Sequence, residues 1–140
     1  MRIGMVTGEY PPMEGGVGAY TQELSSALQQ RGHTLHILTT RTADLAVSTK
    51  DEELDIQGLS VRWDRRGVAT VAQALAELKP DMVNLQYEAA AFDLKGWITR
   101  LPSILQRCCD APVVVTFHDL LPPYLFPKAG PLRQMSVWHL

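Results

Sequence analysis

Residues 9–20 read EYPPMEGGVGAY, and this segment brings Gly15, Gly16 and Gly18 together at the start of a predicted helix. Glycines at such a position let backbone N–H groups come close to an anion, and the N-terminus of a helix adds a positive dipole. The pattern therefore predicts a site for a phosphate group. The alternative is that the glycines only relieve a tight turn between a strand and a helix.

Two familiar phosphate motifs can be compared with this loop, and neither fits. The Walker A motif needs a Gly-Lys pair followed by Ser or Thr, and the loop contains no lysine. The dinucleotide fingerprint needs glycines directly after the first strand and an acidic residue at the end of the second strand. Here Gly15 comes eight positions after Thr7, Thr21 stands where the third glycine would be, and the second predicted strand is followed by Arg41. The loop is long enough to form one wall of a cleft as well as a phosphate cradle.

A histidine and an aspartate, His118 and Asp119, follow the clearest strand pattern of the chain, PVVVTF at residues 112–117. Histidine can hydrogen-bond a hydroxyl or stabilise charge near neutral pH. Open α/β sheets bind their ligands at the carboxyl ends of the strands, near the point where the strand order reverses. We therefore predict His118 as a catalytic residue, with Asp119 orienting it. The alternatives are a histidine that bonds only local backbone and an aspartate that caps the turn.

Two further pairs of polar residues follow predicted strands on the same rim. Tyr87 and Glu88 come directly after the fourth strand, and Glu9 and Tyr10 follow the first strand. A hydroxyl and a carboxylate are suited to recognising the hydroxyl groups of an acceptor molecule. The sequence predicts these four residues as acceptor-binding, the alternative for Tyr87 and Glu88 being a turn with an exposed acid. His33 and His36 lie away from this rim and are interpreted as structural.

Short β-rich runs alternate with longer helical patterns, which predicts a parallel sheet with crossover helices. The predicted strands cover residues 2–7, 34–40, 59–63, 81–86 and 112–117, and the helical patterns cover residues 17–31, 68–78, 94–107 and 129–140. Residues 41–58 are polar and turn-rich and are interpreted as an irregular excursion. Right-handed crossovers then give a three-layer, Rossmann-like domain with strand order 3-2-1-4-5. The final helix ends on an apolar face without a cap, so we expect the domain to be incomplete at its C-terminus.

The composition is that of one globular domain. The 140 residues are 46% hydrophobic and 20% charged, and the net charge of −2 argues against a nucleic-acid partner. Cys108 and Cys109 are adjacent, which is an unfavourable spacing for a disulfide and is compatible with a reducing compartment. Neither a signal peptide nor an apolar run of about 20 residues is present. A cytoplasmic location is predicted.

The segment at residues 95–107, KGWITRLPSILQR, combines basic residues with an apolar set that includes Trp97. A basic amphipathic segment with a tryptophan can lie on a membrane surface. The same pattern also fits a helix that packs its apolar stripe on the sheet and extends its basic tips into water. Peripheral membrane association is therefore left open beside ordinary packing.

Several motifs, taken in order, carry a resemblance to a known family. The first strand is followed by Glu-Tyr-Pro-Pro at residues 9–12, Gly-Gly-Val-Gly-Ala-Tyr at 15–20 and Arg-Gly-His at 31–33. KPDMVNLQYE at residues 79–88 and VVVTFHD at 113–119 lie at matching places. Over most of residues 1–119 the chain resembles the N-terminal domain of family 4 (group 1) glycosyltransferases of the GT-B fold.

The resemblance implies two Rossmann-like domains that face each other across a cleft. The N-terminal domain mainly binds the acceptor, and the C-terminal domain binds the nucleotide sugar. Gly15 and Gly16, with Val17 beside them, would approach the donor diphosphate, and His118 would lie beside the transferred sugar or the acceptor. The implied reaction is transfer of a hexosyl-type sugar to a hydroxyl with retention of anomeric configuration, without a metal or another cofactor.

The family's second domain carries a basic pair and an E-x7-E segment for the donor, and no such region occurs in these 140 residues. We therefore expect residues 1–140 to be the acceptor-side domain, truncated and inactive alone. The alternatives are a free-standing α/β module that binds a phosphorylated ligand, and a folding unit that self-associates through an exposed sheet edge or its last helix.

Overall fold

The computed structural model describes residues 1–42, 49–50, 54–60 and 62–119. Six strands form one sheet in the order β3-β4-β2-β1-β5-β6. They are β1 (Arg2–Thr7), β2 (Thr34–Thr40), β3 (Thr49–Lys50), β4 (Leu54–Ser60), β5 (Met82–Tyr87) and β6 (Val113–Phe117). All neighbours pair in parallel except β3, a two-residue edge strand that is antiparallel to β4. The five parallel strands confirm the predicted order 3-2-1-4-5.

Helices cover both faces of the sheet. Successive strand residues point to opposite faces, so each face carries its own apolar side chains that a helix buries. Helix α1 (Gly16–Gln29) packs on the face that carries Ile3 and Met5, whereas α2 (Arg65–Leu78) and α3 (Leu101–Cys108) pack on the face that carries Val6. The result is the predicted three-layer, Rossmann-like α/β domain. No helix in the described part of the chain is long and apolar enough to cross a membrane.

The third parallel strand differs from its predicted position, 59–63. It is β4, and together with β3 it occupies part of the segment that was interpreted as irregular. The strand was not recognised in the sequence because of its polar residues. One of these, Asp55 in β4, is paired across the sheet with His36 in β2, with 3.2 Å between the carboxylate and Nδ1. Trp63 lies beyond the strand, where its Nε1 donates to Thr40 Oγ1 over 2.8 Å and its ring packs edge-on against Phe92.

The predicted helix at residues 94–107 is interrupted. Two 3₁₀ turns, Ala90–Phe92 and Gly96–Arg100, precede α3, and Asp93 and Leu94 between them have positive φ angles of 55° and 54°. Pro102 lies in the first turn of α3, where its missing N–H costs no helical hydrogen bond. The other predicted helix, at residues 129–140, lies outside the described residues.

Helix α2 begins and ends at clear local signals. The side chain of Asp64 accepts hydrogen bonds from the backbone N–H groups of Gly67 (3.1 Å) and Arg66 (2.9 Å), and these bonds, Gly67 first, lower the pKa of the Asp64 carboxyl. Lys79 adopts a left-handed conformation after the last turn, and Pro80 follows. The helix connects β4 to β5, and β5 pairs with β1 on the side opposite to β2.

Candidate functional site

The strand order reverses between β1 and β5, and the loops that follow β1, β5 and β6 meet at this edge of the sheet. The first loop is held down by local hydrogen bonds. Thr7 Oγ1 donates to the carbonyl of Glu9 over 2.8 Å, and Thr40 Oγ1 donates to the carbonyl of Gly8. A Cβ atom at Gly8 would lie only 2.0 Å from the carbonyl oxygen of Ala91, so only glycine fits between these two loops. The position of the loop after β1 therefore depends on the close backbone contact between Gly8 and Ala91 of the loop after β5.

The glycine loop leads directly into the N-terminus of α1. Gly15 is the N-cap residue, no side chain of the described residues caps the helix, and its first turn has no acidic residue. A Cβ at Gly16 would meet nothing within 4 Å, whereas one at Gly18 would lie 3.3 Å from the backbone of Glu9 and Tyr10. Gly18 thus allows the loop to pack against the helix, and Gly16 leaves space in front of the first amides. Uncapped amides at a helix N-terminus are suited to an anion.

The carboxylate of Glu9 lies against Gly15. A Cβ at Gly15 would be 2.0 Å from Glu9 Oε2, so the predicted acceptor residue and the predicted phosphate loop are in contact. A carboxylate repels a phosphate but accepts hydrogen bonds from hydroxyl groups. A ligand that reaches both features must therefore present a hydroxyl to Glu9 and its negative charge to the amides of α1.

His118 is fixed by three contacts, two with residues of β5 and one with a residue of α1. Its backbone N–H donates to the carbonyl of Tyr87 over 3.0 Å, at the end of β5. Its Nε2 lies 2.7 Å from Oε1 of Gln86. The ring of Tyr20, in α1, contacts the imidazole edge-on, with the ring centroids 4.9 Å apart and an interplanar angle of 77°. The imidazole is therefore held at the strand rim beside the first turns of α1.

The comparisons with known proteins point to one family. A family model described as "Glycosyl transferase 4-like domain" matches residues 15–139. The chain belongs to this family. A curated relative, the alpha-monoglucosyldiacylglycerol synthase of Streptococcus pneumoniae (strain ATCC BAA-255 / R6), is 26% identical over 131 residues. That match covers 89% of the chain but 28% of the relative, so the chain spans little more than a quarter of the relative's length. The glycosyltransferase resemblance seen in the sequence is confirmed.

In this glycosyl transferase 4-like domain, three of the predicted acceptor-binding residues, Tyr10, Glu88 and Tyr87, have side chains that also make contacts within the fold. Tyr10 is 2% exposed and packs in the core beneath α1, where burial raises the pKa of its hydroxyl and a hydrogen bond with Ser25 offsets part of that rise. Both carboxylate oxygens of Glu88 accept backbone N–H groups, from Ala90 (3.0 Å) and Ala91 (2.8 Å). The acceptor-binding roles of Tyr10 and Glu88 stay predictions, and each role has to be compatible with these contacts.

Tyr87 is the third such residue, and its side chain lies on the opposite face of the sheet from His118. Its ring is stacked on Phe92, with centroids 6.3 Å apart, and meets Phe117 edge-on at 5.6 Å. Burial, with a further contribution from the charge of Glu88, raises the pKa of its hydroxyl. Tyr87 therefore contributes its carbonyl to the fixation of His118, and its ring to the other face. Asp119 follows His118 and is exposed.

Two residues that contact His118 were not identified from the sequence, namely Gln86 and Tyr20. The signal for Gln86 was the polar residues at alternating positions in DMVNLQY, because alternation in a strand places them on one face. Tyr20 was noted only as the last residue of the Gly-Gly-Val-Gly-Ala-Tyr motif at residues 15–20. Within the described residues, no group of three or more His, Cys, Asp or Glu side chains is placed to hold a metal ion.

Proposed function

We propose that this chain is the acceptor-side domain of a retaining glycosyltransferase, which transfers a sugar from a nucleotide-sugar donor to a hydroxyl acceptor. The observation that supports this most strongly is the position of His118, held at the switch point of the sheet next to the uncapped start of α1. Ligands of open α/β sheets bind at this point. Membership of the glycosyl transferase 4-like family supports a transferase reaction.

In this proposal the site residues have separate tasks. The amides of Gly15, Gly16 and Val17 approach the donor diphosphate, and the helix dipole of α1 stabilises its charge. Glu9 accepts a hydrogen bond from a hydroxyl, and His118 bonds a hydroxyl of the sugar or the acceptor, with Asp119 next to it. A second domain binds the nucleotide, and neither a metal nor another cofactor takes part. The transferase therefore needs a protein longer than these 140 residues.

For the acceptor we propose a diacylglycerol lipid, with glucose as the transferred sugar. The support is the name of the pneumococcal relative, an alpha-monoglucosyldiacylglycerol synthase, which matches 89% of this chain. A diacylglycerol offers one free hydroxyl on a large apolar body. Such an acceptor lies in a membrane, so the enzyme has to work at a lipid surface.

A surface of four residues, Leu94, Lys95, Trp97 and Arg100, supports membrane contact. Leu94 and Trp97 are 58% and 39% exposed, and the Arg100 guanidinium lies 5.1 Å from the centroid of the Trp97 ring. Leu94 has a positive φ of 54°, a conformation that is unfavourable for a leucine. Exposed apolar side chains beside basic ones fit the boundary between lipid tails and anionic headgroups. Ile98 of the same turn is buried, so packing and membrane contact use different residues of this segment.

Replacing Lys95 with glutamine should weaken binding to anionic vesicles about fivefold, because one basic residue near such a surface contributes about 1 kcal/mol. Trp97→Ala should weaken binding to anionic and neutral vesicles alike, since it removes apolar contact. Co-sedimentation with phosphatidylglycerol and phosphatidylcholine vesicles measures both effects. Arg31→Gln, which removes an exposed charge at the end of α1, is the matched control and should leave binding unchanged. Equal partitioning of all four proteins would contradict the membrane contact.

The transfer itself is tested with the longest gene product that contains this chain. It is incubated with UDP-glucose or ADP-glucose and vesicles that contain diacylglycerol, and the lipid products are analysed by mass spectrometry. We expect a monoglucosyl lipid with an α linkage, because both donors are α-linked and retention preserves the configuration. A β-linked product would contradict retention, and absence of any glucosyl lipid would contradict the proposed acceptor and sugar.

A further inference from the structure

Four polar side chains form a continuous hydrogen-bonded row on the α1-facing side of β5 and β6. Gln86 is fully buried, and its Nε2 donates to Asn84 Oδ1. Asn84 Nδ2 donates to Thr116 Oγ1 over 3.3 Å. The other end of the row is His118, whose Nε2 lies 2.7 Å from Gln86 Oε1. The row therefore connects the candidate catalytic histidine to two strands of the sheet.

The direction of these hydrogen bonds determines what Gln86 offers to the imidazole. Because the amide nitrogen of Gln86 is used by Asn84, its carbonyl oxygen faces His118. A carbonyl oxygen only accepts, so the imidazole nitrogen that faces it must carry a proton. Reversing the Gln86 amide alone would place its oxygen against Asn84 Oδ1, so that two acceptors would face each other whatever the tautomer of His118. Two acceptors in contact at a buried amide cost stability, so the orientation of the Gln86 amide is coupled to that of Asn84, whose own amide donates to Thr116 in this structure.

We infer that Gln86 is a positioning residue that holds neutral His118 in the tautomer protonated on Nε2, which leaves Nδ1 as the hydrogen-bond acceptor for substrate. The role of Nδ1 rests on the proposed function, since it assigns this nitrogen to a hydroxyl of the sugar or the acceptor. Gln86 itself lies beneath the imidazole and is completely shielded from solvent. It acts on the reaction only through His118.

The surroundings of His118 restrain the ring as well as its proton. The backbone bond to Tyr87 fixes the start of the side chain, and the Tyr20 ring packs edge-on against the imidazole. A ring flip would exchange Nε2 for a carbon and break the bond to Gln86. Ring orientation and tautomer are therefore set together, as they are for histidines that a carboxylate or carbonyl orients in other sites.

The tautomer can be measured directly in the 140-residue chain by nitrogen-15 NMR of the imidazole groups at a pH where they are neutral. We expect His118 to show a protonated Nε2 whose proton exchanges with solvent about tenfold more slowly than that of His33, because it is hydrogen-bonded and half-buried. Gln86→Leu should abolish this protection. Gln86→Glu should preserve it, since a carboxylate still accepts from Nε2, and Asn84 can turn its amide to donate to the second carboxylate oxygen while it accepts from the Thr116 hydroxyl. The signals of His33 and His36 are internal controls and should not move.

A protonated Nδ1 in the wild-type chain would overturn the inference, and this outcome needs no variant that folds. An Nε2 proton equally protected in wild type and Gln86→Leu would overturn it too. In the full transferase, Gln86→Leu should lower kcat about tenfold with little change in KM, and Gln86→Glu should restore most of the loss. Failure of the glucosyl transfer assay would leave the tautomer measurement intact, so the two proposals are tested separately.

Discussion

The His118→Ala variant of the full transferase is expected to lose about 100-fold or more in kcat/KM for sugar transfer, the range for a side chain that acts on charge or protons in the transition state. His118 lies at the strand rim, and its imidazole is held by Gln86 and Tyr20. A residue that only packs would not need this fixation at the rim of the sheet. The rate is measured as initial glucosyl-lipid formation at several donor and acceptor concentrations.

The control for this prediction is His33→Ala. His33 lies at the turn between α1 and β2, where its Nδ1 is 3.4 Å from the N-terminal amine of Met1. This turn precedes the amino end of β2, whereas His118 follows the carboxyl end of β6. Both variants should melt within a few degrees of the wild type, and only His118→Ala should lose activity. Unchanged turnover in a well-folded His118→Ala protein would remove the assigned role.

Replacing Gly8 with alanine is expected to lower the free energy of unfolding by about 3 kcal/mol, at the upper end of the usual cost of overpacking. The new Cβ would lie 2.0 Å from the carbonyl oxygen of Ala91 and 2.4 Å from its carbonyl carbon. These are backbone atoms, so no rotamer change can relieve the clash. The β1 and β5 loops have to separate, and the bond from Thr40 to the Gly8 carbonyl is strained with them. For a chain of this size the melting temperature should fall by about 10 °C.

Gly16→Ala is the matched control for stability. Gly16 is the first residue of α1, and a Cβ there would meet nothing within 4 Å. Alanine restricts the unfolded chain and favours a helix, so Gly16→Ala should be as stable as the wild type or slightly more stable. Thermal unfolding followed by circular dichroism measures both variants. A Gly8→Ala protein that melts within about 2 °C of the wild type would show that the two loops move apart without cost.

Much of the fold was predictable, because the parallel strands at the centre of the sheet are buried on both faces. β1, in which all residues but the first are buried, and the buried apolar residues of β2 stand out from their surroundings for this reason. β6 stands out as the apolar run VVVTF, although it lies at the edge of the sheet and its Val114 and Phe117 are exposed. The strand β4 was misplaced because its inward-facing Asp55 looks like a loop residue until its partner, His36, is known. Of the helix predicted at residues 94–107, only the part from Leu101 onward is α-helical, because Leu94 takes a left-handed conformation and Gly96–Arg100 form a 3₁₀ turn.

The candidate site was predictable in location and less so in contacts. The position of His118 follows from topology alone, since residues after parallel strands collect at one edge of the sheet. The contact between Gln86 and His118 depends on the register of β5 against β6, which pairs Tyr87 with Phe117. The burial of Tyr10 depends on how the loop after β1 folds back beneath α1. Pairing and loop geometry of this kind come from the whole fold and not from residue spacing.

The central claim, that this domain binds an acceptor and leaves the nucleotide to a second domain, is tested most directly by NMR titration of the 140-residue chain. Dioctanoylglycerol in bicelles should shift the backbone amides of Glu9, Gly16 and His118 in a saturable way, with bicelles alone as the control. UDP-glucose should bind weakly at most, without saturation below millimolar concentrations, because the nucleotide site belongs to the proposed second domain. Micromolar binding of UDP-glucose at residues 15–17, without any response to dioctanoylglycerol, would contradict the account and would favour a free-standing module that binds a phosphorylated ligand.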